Sequence, residues 1–115
     1  MLRGLHPVAI AAMLGLASSL AAIAEAQAAD CPNLLHLHGY LTVAVVKCGF
    51  REARSIVNLA SSCRTMVGHA SATQTAADGI RFAQGEIAAK GGVPAWCGFA
   101  KSQYPSLLNG AGKVR

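Results

Sequence analysis

Acidic side chains are scarce in this 115-residue chain, where five Asp and Glu stand against ten Lys and Arg. Past Glu25 only Asp30, Glu52, Asp78 and Glu86 remain. Hydrolysis by paired carboxylates needs two of them facing one substrate. Asp78 and Glu86 share a helical face but would stand about 12 Å apart at the helical rise, too wide for ordinary glycosidase geometry. Asp30 lies near the N-terminus, and Glu52, Asp78 and Glu86 read as lying on exposed faces. The motifs C-x-x-C, H-x-x-x-H and G-x-S-x-G are also missing. Without them there is no redox pair, no helical metal pair and no nucleophile elbow. Aromatic residues make up 5% of the chain. A net charge of +5 with so few aromatics is thin for a nucleic-acid binder, which gathers Lys and Arg on one face with rings between them. The expectation is a non-enzyme with no cofactor, no metal and no nucleic-acid partner.

No apolar run is long enough for a confident membrane span either. Val8 to Ala24 is free of charge but short and rich in Ala, against the roughly 20 residues that a span requires. It follows Arg3 and precedes Ala26-Gln27-Ala28, so residues 1–28 read as a cleaved secretory signal. Cleavage after Ala28 is preferred, with Ala24-Glu25-Ala26 as the competing site. Asp30 before Cys31 speaks against lipid attachment. Residues 29–108 are then the exported domain and 109–115 a mobile basic tail, and no membrane span remains after cleavage. Nine cations from Lys47 to Arg115 against four carboxylates keep the net charge at +5.

What the chain does have is four cysteines, all in the exported part: Cys31, Cys48, Cys63 and Cys97. An even count in a small exported chain reads as two disulfides, which help where a single core is marginal. The localisation expected is periplasmic or secreted.

Between the cysteines the apolar spacing is helical. Pro32 opens a first helix, and Leu34, Leu37, His38, Leu41, Ala44, Val45 and Cys48 follow at intervals of three and four. The β-branched Thr42, Val43, Val45 and Val46 argue for a strand over residues 40–46, but no matching strand exists to pair with it, so helix is preferred up to Gly49. A second helix begins between Arg51 and Ser55 and shows Ile56, Leu59, Ala60, Cys63, Met66 and Val67 on one face before Gly68 ends it. Ser71-Ala-Thr-Gln74 has the form of a capping box for a third helix, weakened at Gly79 and Gly85 by about 1 kcal/mol each. Pro94 opens a fourth, Ala95 to Gln103, and Pro105 stops it. The expected fold is all-α, a small bundle of three to four short helices stapled by two disulfides.

Connectivity follows from helix length. Cys31 and Cys48 at the two ends of one helix lie about 25 Å apart, beyond the roughly 7 Å that a disulfide spans between Cα atoms. An antiparallel hairpin returns Cys63 toward Cys31, and the third helix carries the chain back toward Cys48. The pairing predicted is Cys31–Cys63 and Cys48–Cys97.

Two surfaces remain for function. Lys47, Arg51 and Arg54 form a basic corner at the first helix junction, suited to an acidic partner or an anionic membrane surface; a solvated corner is the bland alternative. Trp96, Phe99 and Tyr104 would line a pocket for an apolar ligand or simply fill the core. His36 and His38 point about 200° apart on a helix and share no metal. His36 reads as solvated and His38 as turned inward.

The signal segment, the Cys48-Gly49-Phe50 junction and Cys97 ahead of Tyr104-Pro105 resemble the small exported four-cysteine proteins of proteobacteria, which have no assigned activity. The likeness covers most of the exported chain, implies that compartment and carries over no functional residue. The periplasmic acid-stress chaperones are similar in size and compartment, but their cysteine pattern is not matched. The function expected is a protein-interaction module of stress-factor, inhibitor or chaperone type, with a small-ligand or lipid-surface binder as the alternative.

Overall fold

Helix α1 occupies residues 30–48 of the computed structural model, which describes residues 30–110. The signal segment, its cleavage sites and the chain beyond Gly110 lie outside the described residues. The β-branched run is helical after all. Val43 and Ala44 are buried, and Thr42 Oγ1 donates to the His38 carbonyl at 2.8 Å, a bond directed back along the helix. Packing outweighs the few tenths of a kcal/mol by which these residues disfavour a helix. Burial on α1 is also wider than the single stripe expected. Leu35, Tyr40 and Val43 are enclosed alongside Leu41 and Ala44, because the other helices pack on more than one side of α1.

After Gly49 and Phe50 a two-residue strand, β1 (Arg51–Glu52), leads into α2 (Arg54–Val67). Ile56, Ala60 and Cys63 are the buried positions of α2. Leu59 and Met66, expected on that face, are instead 42% and 48% exposed. A single residue, Gly68, separates α2 from α3 (His69–Ala89), and its φ of +93° is a backbone conformation that glycine adopts without the strain other residues would carry.

The capping box at Ser71 does not form. Helix α3 already begins at His69 with no side-chain cap, the Ala72 N–H donates to the Gly68 carbonyl at 3.0 Å, and Thr75 Oγ1 donates to the Ser71 carbonyl instead. Ala72 is fully buried beside Cys31 and Cys63. That burial favours a helix extended back to Gly68.

Helix α4 (Val93–Gln103) starts with Pro94 in its first turn, as Pro at that position favours. The chain then turns through Pro105 into β2 (Leu108–Asn109), which pairs antiparallel with β1 in the register Arg51 to Asn109 and Glu52 to Leu108. The Ala53 N–H extends the ladder by donating to the Leu107 carbonyl at 2.8 Å. Asn109, placed in the tail by its sequence, is thus held by a strand, and Leu108 is fully buried.

Both disulfides are the predicted ones. Cys31–Cys63, with Cα atoms 5.3 Å apart, ties the start of α1 to the C-terminal half of α2. Cys48–Cys97, at 5.7 Å, ties the end of α1 to α4. A smaller apolar cluster surrounds the first staple and a larger one, centred on Tyr40, Leu41 and Trp96, the second. The described residues form a small disulfide-stapled bundle of four helices.

Between α1 and α3 the backbones touch. A Cβ on Gly39 would overlap the Ala76 carbonyl, and one on Gly79 would overlap the carbonyl of His36. The weak helix formers of the sequence are therefore the residues that let these helices cross.

Candidate functional site

The four cysteines, His38, Glu52 and Glu86 are engaged in holding the fold. All four cysteines are oxidised and no thiol is free. The two disulfides suit an oxidising, non-cytoplasmic environment. His36 sets its ring edge against Phe82, with centroids 5.7 Å apart. His38 Nδ1–H donates to Glu52 Oε2 at 2.7 Å, and the Glu52 side chain is only 7% exposed. Among the described residues no three His, Cys, Asp or Glu side chains gather as a metal site would require.

Glu86 is the second carboxylate drawn inward rather than left on an exposed face. Its Oε1 accepts from the Tyr40 hydroxyl at 2.6 Å and from Trp96 Nε1–H at 3.1 Å. Three elements meet there: α1 brings Tyr40, α3 brings Glu86 and α4 brings Trp96. Burial pushes the Tyr40 hydroxyl well above its ordinary value, and the neighbouring Glu86 carboxylate adds to the rise. The third acidic side chain of the bundle, Asp78, is paired with Arg81 one turn on.

Trp96, Phe99 and Tyr104 do come together, with Tyr40 among them. Tyr40 stacks edge-on against Trp96 at 5.6 Å and against Tyr104 at 5.5 Å. Trp96 has no exposed surface, and Phe99 is covered by Lys90, whose Nζ lies 3.9 Å from the ring centroid. Tyr40 and Trp96 belong to the core of the bundle, and Phe99 and Tyr104 pack against it, partly buried.

The basic corner is different in kind. Lys47 at the end of α1, Arg51 in β1 and Arg54 at the first position of α2 are all exposed. Positive charge in the first turn of a helix opposes its macrodipole, and α2 has no acidic residue there to offset Arg54. Glu52, the nearest carboxylate in sequence, is turned inward to His38 instead. None of the three cations forms an ion pair with a described residue.

Beside this corner lies a groove that the sequence does not announce. Thr42, Val43, Val46 and Lys47 of α1 face Ile80 and Gln84 of α3 across a space of about 200 Å³. Val46 is 57% exposed there. The only trace in the sequence is the pair Gly39 and Gly79, whose presence in otherwise helical segments signals a close approach of two helices.

Comparison with protein-family models, with curated proteins and with solved structures finds no match.

Proposed function

We propose that this chain is an exported protein-interaction module, periplasmic or secreted, which binds an acidic partner protein through Lys47, Arg51 and Arg54. The observation that carries the reading is the uncompensated charge of that corner. One arginine lies in β1 and one opens α2, while the only carboxylate between them is committed to His38. Such a placement costs the free protein a few tenths of a kcal/mol, and an acidic partner would remove that cost on docking. Complementary charge of this kind acts chiefly on association rate and on choice of partner.

A stress-factor, inhibitor or chaperone role fits a rigid scaffold presenting one charged corner. The aromatic cluster gives no support to an apolar-ligand role, because Trp96 and its neighbours are occupied with one another and with Glu86. An anionic lipid surface remains as a competing occupant of the same corner. Affinity capture from envelope extracts with the oxidised protein separates the two. One acidic protein retained at low salt and released as salt rises, as screening requires, supports the proposal. Recovery of lipid alone, or of nothing, refutes it.

A further inference from the structure

We infer that the acidic partner docks as an amphipathic helix and seats one large apolar side chain in the groove between α1 and α3, beside Lys47. The inference rests on the proposed reading of the basic corner and adds to it a shape. Helices α1 and α3 touch backbone to backbone at Gly39 and Gly79. Further along, Tyr40 of α1 and Ala83 of α3 are buried in the core, while Val43, Val46 and Ile80 border an open groove. Lys47 is also among its lining residues.

Size decides between occupants. The groove holds about 200 Å³, below the roughly 300 Å³ at which small-molecule sites begin. It runs along α1 from Thr42 to Lys47, about 7 Å at the helical rise, a little over one turn. That suits a single anchor residue from a docked helix, the mode in which one or a few apolar side chains enter a groove while charges align around it. Lys47 lines the groove itself, and Arg51 follows it by four residues, just past the end of α1. Thr42 lies one turn from His38, and the His38–Glu52 contact holds β1 against that part of α1. Arg51 and Arg54 flank Glu52 on either side in sequence.

The test uses the oxidised protein, isotope-labelled, with a synthetic peptide of about 18 residues carrying Leu on one helical face and Glu on the other. The expected result is a set of amide shifts at Thr42, Val43, Val46, Ile80 and Gln84, and binding weakened about tenfold by Val46→Asp, a change at an exposed position. Gln84→Trp, which roofs the groove, should weaken binding to a similar degree. If Arg51→Glu/Arg54→Glu abolishes binding while both groove variants bind like the original protein, the inference falls and the basic corner stands. Unchanged binding in all three variants would remove the corner reading as well. Shifts centred on Leu59 and Met66 of α2, no peptide binding, or groove shifts produced by phosphatidylglycerol vesicles alone would each overturn the inference.

Discussion

Glu86 shows how much one side chain can be asked to do in a bundle this small. One carboxylate oxygen accepts from both Tyr40 and Trp96, and so satisfies the polar tips of two rings that the core needs for their bulk. Glu86→Ala would strand both donors, and a buried donor without an acceptor costs about 1–3 kcal/mol. Urea unfolding should show a loss at or above the upper end of that range, with the Trp96 emission altered in the folded state. Tyr40 gives a second expectation. Its hydroxyl is held above the ordinary value of 10.0 in the folded protein, so above about pH 10 the unfolded chain ionises Tyr40 while the folded one does not. The stabilisation is complete below that pH and is lost as the pH rises further. Absorbance titration at 295 nm should therefore find one tyrosine that ionises only as the protein unfolds. None of this was legible in the residues themselves. Positions 40, 86 and 96 belong to three helices, and no local pattern joins them.

At the scale of elements, α3 contains a controlled comparison. Gly79 and Gly85 look alike in the sequence, two poor helix formers in one helix. In the fold, a Cβ at Gly79 would overlap the His36 carbonyl, whereas at Gly85 it would meet nothing within 4 Å. Gly85→Ala should stabilise by about 1 kcal/mol, raising Tm by several degrees. Gly79→Ala should destabilise by about 1–3 kcal/mol or more, because backbone cannot yield as a side chain does. Thermal unfolding of the two variants reads out both signs. Helix number and order were legible because apolar spacing and the Gly and Pro stops are local signals. Starts and faces were less so. Burial of Ala72 pulled the start of α3 back past Ser71, and Leu59 and Met66 carry the periodicity of a buried face without a partner to bury them. The β1–β2 ladder was invisible, since two-residue strands are too short to show any period.

For the molecule as a whole, the staples and the corner divide the labour. The two disulfides close segments with sequence separations of 32 and 49 residues, for which the chain-entropy model gives about 4 kcal/mol each. Removing either pair by double Cys→Ala substitution should cost a large share of a stability that in domains of this size is about 5–15 kcal/mol. The Cys48–Cys97 variant should fall further, because that pair also belongs to the larger core. Their pairing was legible because helix length rules out the sequential alternative and a hairpin supplies the rest. The proposed binding surface was legible only as a cluster of cations. That Glu52 is turned away from them, and that a groove opens beside Lys47, are consequences of packing. The role proposed for this uncompensated corner is to select an acidic partner. Side-by-side capture from envelope extract with the original protein and with Arg51→Glu/Arg54→Glu tests it most directly. The expected result is one acidic protein retained by the original and reduced about tenfold or more by the variant, both baits being folded and oxidised. Equal recovery of that protein by both would contradict the claim.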